Sequence, residues 1–170
     1  FKEAVAQVED KASTEIVAVG RKTDTFFRNR DYDVVKSYAG ISERPSYENA
    51  KEIANDLISR FADGEVKEIY MVYTRFVSAI SCVPETVKLL PFSDLAGEGG
   101  SHAEYIYEPS AAEVLGFMLP QYLVTTIYAA LLQSAASELS SRMNAMSNAT
   151  DNAQELIAKL DLHYNKVRQA

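Results

Sequence analysis

The stretch that decides the fold is residues 139–167, LSSRMNAMSNATDNAQELIAKLDLHYNKV. Apolar and small residues recur in it at alternating steps of four and three positions. Two such positions in every seven place these side chains on one side of an α-helix, which is the pattern of a coiled coil. The predicted seam consists of Leu139, Met143, Met146, Thr150, Ala153, Ile157, Leu160, Tyr164 and Val167.

The helix that carries this seam is predicted to extend from about Ser110 to Ala170. At about 1.5 Å per residue such a helix is roughly 90 Å long, whereas a domain built from the preceding residues is a few tens of ångströms across. We therefore expect the helix to project beyond its domain and the partner of the seam to lie outside this sequence. Because periodic segments run up to both Phe1 and Ala170, we also expect the sequence to be a fragment that lacks both flanks.

The composition suits one domain with a hydrophobic core and an appendage. Hydrophobic residues make up 47% of the chain and its formal net charge is −7, without a basic patch that would favour nucleic-acid binding. The single cysteine, Cys82, excludes an internal disulfide and is predicted to be a buried thiol. Residues 114–137 carry no charge and resemble a membrane span, but polar residues spread through them favour a helix buried against a sheet.

The first 109 residues alternate between helical and β-strand patterns. The predicted helices cover residues 1–12, 23–30 and the segment from Ser46 to Asp63-Gly64, and the predicted strands cover residues 14–20, 34–39, 68–76, 79–90 and 104–107. Ser46 is a suitable helix cap, with Asn49 at the capping-box position.

This alternation predicts an α/β fold: a Rossmann-like, mainly parallel sheet with flanking helices, followed by a long C-terminal coiled-coil helix. We divide the chain into a Rossmann-like α/β central domain over residues 1–109 and the long helix over residues 110–170. Gly116 and Pro120 are expected to break or kink this helix near its start, because proline removes an internal hydrogen bond.

The sequence predicts no catalytic, cofactor-binding or metal-binding site. The turn at residues 20–23 has one glycine rather than a dinucleotide-binding pattern, and the glycine-rich loop at residues 97–101 lacks the Lys-Ser/Thr pair that holds phosphate. His102 and His163 lie far apart in the chain, and the carboxylates form no pair that indicates acid–base chemistry. The basic residues between positions 21 and 30 leave two interpretations open, a solvated helix face or contact with an acidic partner.

Several motifs carry a resemblance to a known family. The chain reads LPQYL at 119–123, RMNAM at 142–146, NATDNA at 148–153 and YNKVRQA at 164–170. Together they closely resemble the γ subunits of F-type ATP synthases, and the resemblance covers nearly the whole chain. Its strongest part is in register with the predicted seam.

The resemblance implies a non-catalytic rotor subunit of the central stalk, which couples proton flow through a membrane ring to conformational change at catalytic sites. It implies the α and β subunits of the catalytic hexamer, the ε subunit and the membrane c ring as partners, without a cofactor, nucleic acid or small-molecule substrate. It also implies a peripheral membrane protein on the cytoplasmic face of the bacterial inner membrane. The missing partner of the seam would be the N-terminal helix of the family, which runs antiparallel to the C-terminal one.

The resemblance also suggests which residues contact other subunits. Five residues off the seam match the family motif and are expected to face the hexamer or flanking helices: Arg142, Asp151, Asn152, Asn165 and Arg168. Tyr105 and Tyr107, two aromatics at strand spacing, are expected near the ring and ε. The alternatives are a solvated helix surface for the first group and the domain core for the tyrosines.

Two other functions remain as alternatives. A self-dimerising α/β adaptor with a coiled-coil arm requires the seam to pair with itself, and a nucleotide-binding enzyme of doubly wound fold requires a phosphate-binding turn. In either the rotor or the adaptor, the isolated fragment is expected to self-associate or to fray beyond about Ala136, because the apolar seam lacks a partner.

Overall fold

The computed structural model describes residues 1–8, 10–92 and 111–169. The helices are α1 (Lys2–Gln7), α2 (Arg21–Arg28), α3 (Tyr47–Ala62) and α4 (Ala111–Gln169), and the strands are β1 (Glu15–Val19), β2 (Asp33–Tyr38), β3 (Ile69–Ser78) and β4 (Ser81–Leu90). The predicted strand at residues 104–107, with Tyr105 and Tyr107, lies outside the described residues.

The expected class, α/β with a parallel sheet and a long C-terminal helix, is confirmed. Strands β1 and β2 pair in parallel and are connected by α2. The expectation of a mainly parallel sheet needs correction in the second ladder, where β3 and β4 pair antiparallel. The reason is the connection: only Ala79 and Ile80 separate the two strands, and so short a turn allows only an antiparallel pair.

The N-terminal helix is shorter than the predicted helix over residues 1–12. Helix α1 ends at Gln7 because Val8 is already extended, and a 3-10 turn follows at Lys11–Ser13. The side chain of Asp10 accepts a hydrogen bond from the Ala12 N–H at 3.1 Å. A short acidic side chain that bonds nearby backbone competes with helix formation, which explains the early end.

Gly20 forms the turn between β1 and α2. Its φ of 97° is one that residues with a Cβ rarely adopt, and a Cβ at this position would lie 2.8 Å from Ser42 Oγ. The Gly20 N–H also donates to the Tyr38 carbonyl at 2.8 Å, which extends the pairing of β1 with β2. Backbone conformation and close packing therefore account for this glycine without a ligand.

Helix α3 begins as predicted. Ser46 and Asn49 form a capping box, in which each side chain bonds the backbone N–H of the other residue. The buried face of α3 carries Ala50, Ile53 and Ala54, and it packs against α4. The main core therefore lies where α3, the β3–β4 hairpin and the first half of α4 meet.

Helix α4 runs without interruption through Gly116 and Pro120, so the expected break does not occur. The carbonyl that loses its helical partner to Pro120 belongs to Gly116, four residues earlier. Gly116 is exposed, so water can bond that carbonyl. A proline at this position costs the helix less than one facing the core would.

By length and composition, α4 contains a stretch apolar enough to cross a membrane, with a mean hydropathy of 1.5 and 22% of that stretch buried. Leu123, Val124 and Ile127 are buried in the core, whereas Phe117 and Met118 are exposed. Packing on the body of the protein, as expected from the sequence, therefore accounts for one face of the apolar stretch.

Candidate functional site

The distal segment of α4, which we define as residues 139–169, carries the predicted seam. All nine seam residues lie in one continuous helix, as predicted, and all nine are exposed. Every residue from Ala145 to Gln169 is likewise exposed. Burial of such an apolar row requires a surface beyond those that the described part of the chain provides, and pairing of the seam with another helix stays a prediction.

The five predicted contact residues on α4 are exposed, but they form no single cluster. Arg142 and Arg168 are separated by about 39 Å along the helix. Arg142 forms an ion pair with Glu138, one turn before it, at 2.7 Å. Asp151, Asn152 and Asn165 lie between the two arginines; Asn152 is turned about 100° from Asp151, whereas Asn165, nearly four turns further on, lies on the same side as Asp151. Their arrangement suits contacts distributed along a shaft rather than a pocket for one ligand.

The polar contacts of the distal segment beyond Asn144 are local. Thr150 Oγ1 donates to the Met146 carbonyl at 2.9 Å, and Lys159 Nζ lies 2.5 Å from Glu155 Oε1. Contacts between residues four positions apart stabilise a helix by a few tenths of a kcal/mol each. They support the helix itself and do not hold it to another element.

The proximal segment of α4, which we define as residues 113–138, is packed on the body. Leu123 is the largest side chain that is fully buried, at 1% exposure. The ring of Tyr128 meets that of Tyr47, at the start of α3, edge to face at 5.9 Å, and the Gln121 amide donates to the Tyr47 hydroxyl. The capped end of α3 thus lies directly under the proximal segment.

A row of polar side chains links α4 to strand β3, and we call these contacts the edge clamp. The Thr74 N–H donates to Ser134 Oγ at 3.4 Å, and the Ser137 hydroxyl donates to the Thr74 carbonyl at 3.3 Å. Further along, Ser140 and Asn144 both donate to the Ala79 carbonyl in the hairpin turn. The edge clamp was not predicted from the sequence. Its signal in the sequence is the spacing of the four polar residues on α4, which follow one another after three, three and four positions.

Ion pairs tie the strands and α3 together on the surface of the body. Asp56 on α3 pairs with Lys36 on β2 at 2.9 Å and with Arg60 at 3.3 Å, and Arg60 also reaches Glu15 on β1 at 3.2 Å. These groups lie between elements of the fold and away from any seam residue. Their arrangement is that of a structural network.

A second charged group lies on the exposed face of the β3–β4 hairpin. Lys88 Nζ is 2.6 Å from Glu68 Oε1, and the Tyr70 hydroxyl donates to the same carboxylate at 2.8 Å. The hydrogen bond from Lys88, with a smaller contribution from Tyr70, lowers the pKa of Glu68 below its usual value. A lowered carboxyl pKa keeps Glu68 ionised at neutral pH, which suits an ion pair and not a proton donor.

Two of the four basic residues between positions 21 and 30 make contacts within the chain. Arg28 pairs with Asp24 at 2.8 Å, and the Arg30 guanidinium lies 3.8 Å from the centre of the Phe26 ring. Phe26 also stacks on Phe1, with 4.3 Å between ring centres. Arg21 and Lys22 are exposed, so the alternative of an acidic partner stays untested.

Within residues 1–8, 10–92 and 111–169, no group of three or more histidine, cysteine, aspartate or glutamate side chains is placed to hold a metal ion. Cys82 is half-buried on β4, which corrects the prediction of a buried thiol. It lies close to the turn, where β4 has fewer neighbours than at its buried end, Leu89 and Leu90. His102 and the loop at 97–101 lie outside the described residues.

The comparisons with known proteins agree with the resemblance. A family model described as ATP synthase matches residues 1–170. The chain is 45% identical to the ATP synthase gamma chain of Pelotomaculum thermopropionicum over 163 residues and 43% identical to that of Desulfitobacterium hafniense over 162. Each match covers 95% of this chain and 57% of the relative. The gamma chain of Desulforamulus reducens is 42% identical over 171 residues, which cover all of this chain and 60% of the relative.

Two solved structures are similar in fold. The central stalk and c ring of the Tetrahymena thermophila mitochondrial ATP synthase include a chain that matches 79% of this one, with a TM-score of 0.63 and 28% identity. The match covers 60% of that chain. The rotor of the Euglena gracilis mitochondrial ATP synthase matches 99% of this chain and 67% of its own, with a TM-score of 0.64. Its identity is 19%, so this second likeness bears on the fold alone.

Proposed function

Because this chain belongs to the ATP synthase gamma chain family, we propose that it forms the body and one shaft helix of the rotor in an F-type ATP synthase. The chain spans 57–60% of the length of the bacterial relatives it matches. The proposed role is to couple proton flow through the membrane ring to conformational change at catalytic sites on other subunits. The chain itself contributes no catalytic group to that role.

The observation that carries this proposal is the contrast within α4, a helix of 59 residues and about 88 Å. Its first half is held on an α/β body, and its second half presents an apolar seam, with mostly polar or small residues and two exposed leucines, Leu156 and Leu162, on the remaining faces. A lever needs one end fixed to the part that drives it and another end free to contact the part that is driven. The packed first half and the exposed second half of α4 support this arrangement.

The proposed partners follow from the two ends of this lever. The seam would pair with the N-terminal helix of the family, in the part of the relatives that this chain does not cover. The contact residues Arg142, Asp151, Asn152, Asn165 and Arg168 would meet the α and β subunits of the catalytic hexamer. Tyr105 and Tyr107 would lie near the c ring and the ε subunit. The protein would be peripheral, at the cytoplasmic face of the bacterial inner membrane.

A seam that contains small residues suits a stiff shaft. Thr150 and Ala153 lie among larger residues such as Met146 and Ile157. Small side chains allow two helix backbones to approach closely, and close packing leaves little free space for relative motion. A stiff pair of helices transmits rotation with little loss, which is the mechanical property that the proposed role requires.

The proposed function is tested with Arg142→Ala and Arg168→Ala in the complete ATP synthase. Charged hydrogen bonds at partly buried contacts contribute about 1.5–3 kcal/mol, so each variant should lower ATP turnover or proton pumping per ATP several-fold. Lys159→Ala is the matched control, since Lys159 is an exposed cation on the same helix, outside the motif. Normal rates and coupling in both arginine variants would mean that the shaft acts through shape alone.

The exposed seam also favours one other function, a self-dimerising adaptor. Analytical ultracentrifugation of this chain, alone and with an added N-terminal helix peptide from a relative, separates the two functions. The rotor predicts a one-to-one complex with the peptide that displaces any self-association. A tight homodimer that ignores the peptide would support the adaptor instead.

A further inference from the structure

We propose that the edge clamp is the junction that fixes the rotational position of the shaft helix on the body, and so passes rotation from one to the other. This inference rests on the proposed function and adds the residues that keep the shaft helix in a fixed orientation on the body. The clamp consists of Ser134, Ser137, Ser140 and Asn144 on α4 with the backbone of Thr74 and Ala79.

The backbone of Thr74 is available to α4 because of its neighbour on β4. In the antiparallel ladder Thr74 lies opposite Pro84, which has no N–H. Directly opposed residues in such a ladder either exchange two hydrogen bonds or exchange none, so this pair exchanges none. The N–H and C=O of Thr74 therefore point away from β4, and Ser134 and Ser137 bond them.

The least exposed part of the clamp is formed by these two serines, of which Ser137 is buried and Ser134 half-buried. Ser137 is the one buried polar residue among the core positions of the described chain, at 3% exposure. Both bonds to Thr74 are partly buried, so water only partly replaces a serine partner that is removed. Ser134 and Ser137 thus fix the height and the rotation of α4 relative to one residue of β3.

The clamp has a second point of attachment at the hairpin turn. Ser140 Oγ lies 2.6 Å from the Ala79 carbonyl, and the Asn144 amide donates to the same oxygen. Residues 134 and 144 are about 15 Å apart along the helix. Apolar packing is non-directional and holds the helix against the body, whereas directed bonds at two separate heights also resist rolling about the helix axis.

The clamp and the seam occupy opposite faces of α4. Ser134 and Met143, Ser137 and Met146, and Asn144 and Ala153 are each nine positions apart, which is about two and a half turns. A helix that covers the seam would therefore leave the clamp in place. The hairpin and the partner helix would hold α4 from both sides, at the point where the body ends and the shaft begins.

The first test measures the clamp in this chain by hydrogen exchange. The double variant Ser134→Ala/Ser137→Ala removes the two partly buried contacts, and Ser147→Ala is the control, an exposed serine beyond the clamp. Amides of residues 134–144 should exchange about tenfold faster in the double variant and at the normal rate in the control. Should the double variant not fold, Asn144→Ala, at the exposed end of the clamp, should give a smaller increase over the same residues.

The second test measures rotation in the assembled complex. A bead on the tip of the shaft, with the body held, reports angular fluctuation during a catalytic dwell. The double variant should keep ATP hydrolysis and rotation but show fluctuation at least twofold wider than that of Ser147→Ala.

Unchanged exchange in the variants, or faster exchange without wider fluctuation, would overturn the proposed junction. A complex that couples ATP hydrolysis to proton pumping normally without this chain would instead overturn the proposed function, so the two failures are distinguishable.

Discussion

The proximal and distal segments of α4 belong to one unbroken helix, yet they relate to the rest of the chain in opposite ways. Leu123 in the proximal segment is 1% exposed, whereas Leu160 in the distal segment is 59% exposed. Both are leucines on a helix with regular apolar spacing. The comparison teaches that periodicity shows which face of a helix needs a partner, but not whether the same chain supplies it.

The largest difference between the segments should come from removing a leucine in each. Leu123→Ala should lower the free energy of unfolding by about 2–5 kcal/mol, because it leaves a cavity between α3 and α4. Leu160→Ala leaves no cavity in the body, because Leu160 is 59% exposed, so its effect on a dilute chain should stay within about 0.5 kcal/mol. Urea denaturation followed by circular dichroism measures both, and equal losses would contradict the division into two segments.

The segments should also differ in protection and in dependence on concentration. Amides of residues 145–165 should exchange much faster than those of residues 120–135 in dilute solution, because a helix without tertiary contacts is marginally stable in water. Raising the protein concentration should slow exchange in the distal segment only, through association of exposed seams. Full protection of the distal segment in a monomer would show that the seam is misassigned.

A smaller effect should follow from loosening the support beneath the proximal segment. Ser46→Ala removes the cap of α3, whose first residue, Tyr47, contacts Tyr128 on α4. The expected loss in unfolding free energy is about 0.5–2 kcal/mol. Ser46→Asn should restore most of it, since asparagine caps as well as serine. Equal destabilisation by both variants would indicate that the cap is not the cause.

The smallest expected effect concerns the distal segment alone. Lys159→Ala removes an exposed ion pair with Glu155 and should lower local helix stability by about 0.3–0.5 kcal/mol. Added salt screens such a pair, so the difference from the unsubstituted chain should shrink near 1 M NaCl. Amide chemical shifts around residue 159 measure this difference in helix stability. A difference that does not change with salt would indicate that the lower stability arises from helix propensity and not from the ion pair.

Much of this fold was predictable from local sequence patterns. The strand that leads into Gly20, the cap at Ser46 and the heptad spacing after Leu139 each reflect interactions within a few residues of the chain. Such interactions act similarly in a peptide and in a folded protein. The prediction was wrong within residues 1–12, where α1 ends at Gln7 and Asp10 begins a separate 3-10 turn.

The edge clamp was not predicted, because it depends on contacts between distant parts of the chain. Thr74 and Ser134 are 60 positions apart, and what connects them is the pairing of Thr74 with Pro84. The direction of β4 and the missing N–H of Pro84 affect the contacts of α4 only after the β3–β4 hairpin has formed. The sequence showed polar residues on a helix, and only the fold showed what they bond.

The position of α4 along β3 has one more consequence, for the behaviour of the protein before assembly. Within the described residues β3 pairs with another strand along one edge only, and its other edge faces α4. An open strand edge is a template for other chains and a common origin of aggregates. Docking of α4 covers part of this edge, so a chain whose helix detaches should aggregate as well as unfold.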